Sequence, residues 1–200
     1  MRKLDPVKHA EKQAEILAAA LRCFFRDGFH GASTAKICKE AGISPGHLYH
    51  YFSSKEAIAT AISEAGMARI EASFGEMMKS PNVLSALTAQ MDRVKTKRDA
   101  NKRAMGRLVL ELLVEAERNP AIAKIVQANS RKMRQLLAEF VRSGQARGQI
   151  DPGLDADITA GLLLSVLDGM RTVSIRDPKA DMGRNVEYLK LMISRFLSPQ

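Results

Sequence analysis

A chain of 200 residues and 22.0 kDa has room for one domain, or for a small and a medium one. Its 46% hydrophobic and 26% charged residues place it among globular rather than disordered chains, and 5% aromatics without Trp, with no alternating Val/Thr-rich runs, count against an all-β fold. The 31 Lys+Arg against 22 Asp+Glu leave a net charge of +9, which favours a polyanionic partner without saying which.

In chain order, residues 11–27 place Ile16, Leu17, Ala20, Leu21, Phe24 and Phe25 at three- and four-residue spacing, one apolar stripe of an amphipathic helix. Gly28 follows as a natural terminator, because glycine enters the left-handed region without steric cost. A short second helix is predicted from Ser33-Thr34, where a hydroxyl can cap free N–H groups. Ile37 and Ala41 face inward and Gly42 stops it. Ser44 suits an N-cap and Pro45 the first helical position, which needs no N–H. They open a third helix to about Phe52, with Leu48 and Phe52 on its buried side. Ser53-Ser54-Lys55-Glu56 then has the S-x-x-E form of a capping box for a fourth helix.

Three short helices, the second and third joined by a Gly-containing turn, make a helix-turn-helix. It works if Ile37, Ala41, Ile43 and Leu48 bury together and leave the other face of the third helix outward. That face carries Gly46, His47, Tyr49, His50 and Tyr51. Such a cluster is costly to leave on a surface without a partner, and DNA supplies one, through phosphate oxygens and base edges.

The run Thr34-Ala-Lys-Ile-Cys-Lys-Glu-Ala-Gly-Ile-Ser-Pro-Gly-His-Leu-Tyr-His-Tyr-Phe-Ser-Ser-Lys-Glu resembles the DNA-binding signature of the TetR/AcrR family of transcriptional regulators. Ala41-Gly42, Gly46, Leu48-Tyr49, Phe52 and Lys55-Glu56 stand at the family's spacing, while Cys38 replaces the usual Ala and Ile58 a frequent Leu. The resemblance implies phosphate contacts from Thr34, Tyr49, Tyr51 and Lys55. It also implies base contact or approach from Ser44, Pro45, Gly46, His47 and His50. Ala35 departs from relatives that carry a long polar side chain there, so base reading must lean on the third helix. These residues define an expected DNA-binding domain over 10–55, with the helix-turn-helix over 33–52, followed by a ligand-binding and dimerisation domain over 56–200.

The rest reads as helix throughout, over 56–78, 83–97, 100–118, 121–144, 155–173 and 181–197, with breaks at Pro81-Asn82, Asn119-Pro120 and Asp151-Pro152-Gly153. The expected fold is all-α, about nine helices, with no internal repeat. Leu110-Glu-Leu-Leu-Val-Glu-Ala-Glu-Arg-Asn-Pro, Gly148-Gln-Ile-Asp-Pro and Leu162-Leu-Leu-Ser-Val-Leu-Asp-Gly-Met are similar to the C-terminal domain of BetI-type regulators in the same family. The penultimate helix has Ile158, Leu162 and Val166 on one face and Ala160, Leu163, Leu164 and Leu167 on another, so it needs cover on two sides. The last helix carries Met182, Val186, Leu189, Ile193 and Phe196. The resemblance implies that these two helices pair with a second copy in a four-helix bundle, giving a homodimer and a near-palindromic operator. It also implies a cavity for a small-molecule effector among the middle helices, for which Met67, Phe74, Met91, Met105, Leu108, Leu112, Met133 and Phe140 are the candidate lining. The same residues suit an ordinary core at helical spacing, and no cluster of acids or aromatics names the effector.

Other classes find less support. The longest apolar stretch, 158–167, is too short for a bilayer span, and the N-terminus lacks a signal peptide's apolar run, so a soluble cytoplasmic protein without membrane partner is expected. Cys23 and Cys38 make no disulfide framework or zinc spacing, and no metal or cofactor is expected. An enzyme would need a nucleophile elbow, metal spacing or phosphate loop, none of which occurs. A ligand- or partner-binding protein that had lost DNA binding would have no use for Tyr49, Tyr51 and Lys55.

Charge is unevenly spread. Residues 1–55 carry nine Lys/Arg and five Asp/Glu, net +4; residues 56–150 carry sixteen and ten, net +6; residues 151–200 carry six and seven, net −1. The stretch 93–107 holds seven positive residues and Asp99. By the family's architecture Lys95, Lys97, Arg98, Lys102 and Arg103 are expected to add to the field facing DNA phosphates without reading sequence.

Overall fold

Nine helices follow one another without a strand among the described residues, which in the computed structural model are 6–95 and 100–199. They are α1 (Pro6–Gly31), α2 (Thr34–Ala41), α3 (Pro45–Tyr51), α4 (Lys55–Met78), α5 (Val83–Lys95), α6 (Ala100–Glu115), α7 (Pro120–Ala146), α8 (Ala156–Arg176) and α9 (Met182–Leu197). The chain forms two compact units, one of residues 1–67 and 100–127, the other of 68–99 and 128–200.

The first unit gathers Ile16, Ala20, Cys23, Phe24 and Phe29 of α1, Ile37 and Cys38 of α2, Leu48 of α3, Phe52, and Ile58 of α4 into one core. Leu108 of α6 and Ile122 and Ile125 of α7 complete that core. The helix-turn-helix therefore does not bury itself alone; two helices from the middle of the sequence close it. Ala41, expected inside, is half-buried and outside the cluster, because Gly42 ends α2 right after it.

Local chemistry explains most helix ends. α1 starts at Pro6, five residues before the expected start, since 6–10 lack an apolar stripe but proline suits a first helical turn. Gly28 has the positive φ the sequence suggests, 72°, but with ψ 168° it kinks the helix, which then runs one more turn to Gly31. The expected capping box is displaced by one residue: Ser54, not Ser53, accepts the Ala57 N–H at 3.1 Å, which leaves Glu56 too early in the helix to reach back. α6 stops at Glu115 rather than near Arg118. Its last turn tightens, with Glu117 and Arg118 donating to Val114 and Glu115, and Asn119, whose helical geometry Pro120 disfavours, caps α7 through Oδ1.

The second unit buries Phe74 and Met77 of α4, Val83, Leu87 and Met91 of α5, Leu137, Phe140 and Val141 of α7, Leu163 of α8, and Leu189, Ile193 and Leu197 of α9. Gln149 ties its loops, its Oε1 accepting from Val83 N at 2.9 Å and its Nε2 donating to Pro81 O at 2.6 Å. Lys190 of α9 donates to both carboxylate oxygens of Asp92 on α5, at 2.8 and 3.0 Å. Asp155 and Asp181 cap α8 and α9, each accepting first-turn amides. α8 is longer than expected, 21 residues whose most apolar 18-residue window has mean hydropathy 1.4. By length and composition alone it is apolar enough to cross a bilayer, a test that a core helix of a soluble protein also passes. Its Ala156, Thr159, Ala160 and Leu163 face the core, while Ile158 is 66% exposed and Leu162 and Ile175 are also open.

Candidate nucleic-acid interface

The turn between α2 and α3 is built by three local devices. Ser33 caps α2, its Oγ accepting from Lys36 N at 3.2 Å. Gly42 adopts the left-handed conformation at φ 65°, and its N–H returns to the last carbonyls of α2. Ser44 Oγ accepts from His47 N at 3.2 Å and Pro45 takes the first helical position, so α3 starts abruptly after the turn. Leu48, fully buried, pins this seven-residue helix to the core. Everything a residue or two from Leu48 then points out: Gly46, His47 and His50 are exposed, and Tyr49 is 54% exposed. Beyond its own helix backbone and chain neighbours, no atom lies within 4 Å of where a Gly46 side chain would begin, so the helix tip is open.

Of the other sequence-selected residues, Thr34 is the first residue of α2 and half-buried. Tyr51 is less exposed than expected, because its ring stacks on His9 of α1, centroids 4.6 Å apart and planes at 29°. His50 meets the Tyr51 ring edge-on at 5.1 Å and His47 lies 5.5 Å from it. Three imidazoles thus surround one phenol. Lys55 is half-buried, and its ammonium donates to the Phe29 carbonyl at 2.9 Å while sitting 4.4 Å from the Phe29 ring centroid. It is held inward in this structure rather than projected beside Tyr49.

Ion pairs fix α2 against α1. Arg22 Nε donates to Glu40 at 2.7 Å, Arg26 reaches both Glu40 and Asp27, and Lys36 pairs with Asp27 at 3.2 Å. Hydrogen bonds from Arg22 and Arg26 hold the Glu40 carboxyl below its ordinary range, and those from Arg26 and Lys36 do the same for Asp27. Neither this network nor the part of His9 has a local signal in the sequence, since the bonds that join α2 to α1 pair residues on different helices, Arg22 with Glu40 across 18 residues and Arg26 with Glu40 across 14. Cys23 and Cys38 are buried, and burial pushes both thiols above their ordinary value, the opposite of an activated nucleophile. Among the described residues, no group of three or more His, Cys, Asp and Glu could hold a metal ion.

The residues proposed from sequence for an effector cavity are divided between the two units. Phe74, Met91 and Phe140 are buried in the second unit's core with Met133 packed against it, whereas Leu108 and Leu112 belong to the first unit's core. Met67 is half-buried and Met105 exposed. Helical periodicity marks core positions without saying which core. In the basic stretch, Arg103 is exposed; Lys97 and Arg98, with the side chains of Lys95 and Lys102, lie outside the described residues.

Residues 16–62 match the bacterial regulatory proteins of the tetR family, and residues 86–197 match the C-terminal domain of BetI-type transcriptional repressors. The chain belongs to the TetR family. UidR of Escherichia coli (strain K12), an HTH-type transcriptional regulator, is 32% identical to this TetR-family chain over 190 residues, 93% of each protein. GusR of Salmonella enterica has 30% identity and a TM-score of 0.79, over 94% of this chain and 95% of that one. FadR of Bacillus subtilis, solved with stearoyl-CoA, shares the fold at TM-score 0.76 and 21% identity, over 92% of this chain and 98% of that one. The chain is accordingly a DNA-binding transcriptional regulator of the TetR family.

Proposed function

We propose that this regulator is a cytoplasmic homodimeric repressor, not an enzyme, which leaves a near-palindromic operator when a small molecule binds it. The observation that carries the DNA-reading part is the outward face of α3, where Gly46, His47, Tyr49 and His50 are open around the buried Leu48. In this reading residues 10–55 engage DNA. Ser44, Pro45, Gly46, His47 and His50 approach base edges, while Thr34, Tyr49, Tyr51 and Lys55 serve phosphates. Lys55 would release the Phe29 carbonyl, or contact DNA beside it, on binding. Residues 56–200 provide the effector site and the pairing surface, with lining drawn from Met67, Phe74, Met91, Met105, Leu108, Leu112, Met133 and Phe140. Lys95, Lys97, Arg98, Lys102 and Arg103 add charge toward the phosphates.

The exposed apolar residues of α8 and α9, Ile158, Leu162, Tyr188, Leu191, Met192 and Phe196, support pairing with a second copy, because one helix pair cannot cover both its own faces. A two-fold dimer reads two half-sites about one helical turn of DNA apart. An effector lowers DNA affinity only by as much as it prefers a head spacing that misses successive major grooves.

Fluorescence anisotropy with palindromes from neighbouring promoters, over a series of salt concentrations, tests this. Replacing both Tyr49 and Lys55 by Ala is expected to weaken binding roughly uniformly across sequences and to make the salt slope shallower by about one per protomer. Absence of specific binding by the intact dimer sinks the reading.

A further inference from the structure

Phe29 is held from three sides, and one hold comes from far along the chain. Because Gly28 kinks α1 at φ 72° and ψ 168°, the Phe29 amide leaves the helical ladder. Phe29 is only 2% exposed, so that N–H needs another acceptor. Glu111 of α6 supplies it, its Oε2 accepting from Phe29 N at 2.7 Å across 82 residues of sequence. The carboxylate comes so close that a Cβ on Gly28 would lie 2.8 Å from Oε2 and 3.2 Å from Oε1. Glycine suits this position for its backbone angle, and its empty side leaves the carboxylate room to approach. On the other side of the same residue, Lys55 of α4 takes the Phe29 carbonyl and covers its ring. Three residues later the buried Ala32 and the cap Ser33 lead into α2.

We propose that Glu111 is a positioning residue for DNA binding: through the Phe29 amide it sets the direction in which the chain enters α2, and with it the stance of α3. The proposal rests on the reading of α3 as the DNA-reading helix and assigns part of its support to α6. Glu111 is exposed and adds nothing to the core, so packing gives no reason for it to reach back to α1. A hydrogen bond to an ionised acceptor is also stronger than one between neutral groups, which suits a hold of this kind. Any displacement of α6 along its axis would move this acceptor and so act on the entry to α2 directly.

The test uses the full-length protein and the DNA sequence that the wild type selects from a random pool. Amide hydrogen exchange at Phe29, thermal unfolding and affinity for that DNA are measured for the wild type, Glu111→Ala and Glu111→Gln. Expected are a protected Phe29 amide in the wild type, and in Glu111→Ala exchange and dissociation constant each raised about tenfold, with an unfolding midpoint lowered by only a few degrees. Glu111→Gln keeps a carbonyl acceptor and should recover most of both losses. An unprotected Phe29 amide in the wild type, or unchanged DNA affinity in Glu111→Ala, overturns the proposal. Should Glu111→Ala fail to fold, Glu111→Asp, whose carboxylate is one methylene short of the amide, takes its place: faster exchange with weaker DNA binding supports the proposal, and unchanged exchange, or faster exchange with untouched affinity, overturns it. A wild type that selects no sequence defeats the DNA reading and this proposal together. A protected Phe29 amide then separates that failure from a failure of the tie itself.

Discussion

A methyl group added at Gly42 and one added at Gly144 would be resisted for different reasons. Gly42 has φ 65° and nothing within 4 Å of a would-be Cβ, so Gly42→Ala meets only backbone strain, about 1–2 kcal/mol of stability. Gly42→Asn should recover much of that, because Asn tolerates the left-handed region. Gly144 instead lies under Ile150, whose Cδ1 and Cγ1 would stand 2.5 and 2.6 Å from a Cβ, with Val83 Cγ2 at 3.1 Å. Gly144→Ala is an overpacking change expected to cost about 1–3 kcal/mol, relieved only in part by Ile150→Val in the same chain, which removes Cδ1 and keeps Cγ1. Urea unfolding of the single and double variants separates the two mechanisms. Tyr49→Ala makes the contrasting prediction. An exposed side chain is removed, so unfolding should shift by less than about 0.5 kcal/mol while DNA affinity falls.

At the scale of elements, the join of α1 to α2 predicts a pH response. Glu40 and Asp27 have carboxyls held below their ordinary values by Arg22, Arg26 and Lys36. In the acid range the unfolded chain therefore binds protons that the folded chain does not. The stabilisation is present above the ordinary carboxylate values and is lost as pH falls through the depressed ones. Glu40→Gln removes one such group, so its urea midpoint should decline less steeply than that of the wild type below the ordinary value of 4.5. An identical acid limb would show that the pairs are too solvated to matter.

The elements themselves were largely legible. Ser33, Gly42, Ser44 and Pro45 act locally, over three or four residues, and each does what its position suggested. Legibility failed where a partner lies far along the chain. Nothing near Tyr51 announces His9, nothing near Gly28 announces Glu111, and the stripes through Leu108, Met133 and Phe140 do not say which core each will enter. The ends of α6 and α8 were missed for a smaller reason. Glu117 and Arg118 just after α6, and Arg176 at the end of α8, are polar residues that mark neither a helix nor a stop. The DNA-facing residues came from motif spacing, whereas the effector-lining set came from periodicity, which cannot distinguish a cavity wall from a filled core.

At the scale of the molecule, α8 and α9 leave a row of apolar side chains open, with Tyr188 61% exposed. If a second copy covers them, Leu162→Glu should shift sedimentation from dimer to monomer at micromolar concentration, since Leu162 lies outside the buried core. Affinity for a full palindrome should then fall toward that for a half-site. A variant that remains dimeric would move the pairing surface elsewhere. The discontinuity of the first unit has a consequence for anyone transplanting recognition between relatives. A reading head cut after residue 55 or 67 leaves behind Leu108, Ile122 and Ile125, which share its core, as well as the carboxylate that holds Phe29. A chimera joined there would place a foreign α6 against a native α1, and its faults would resemble lost specificity while arising from an ill-fitting seat. Residues 100–127 should travel with the head, so that the portable piece is two segments of chain rather than one.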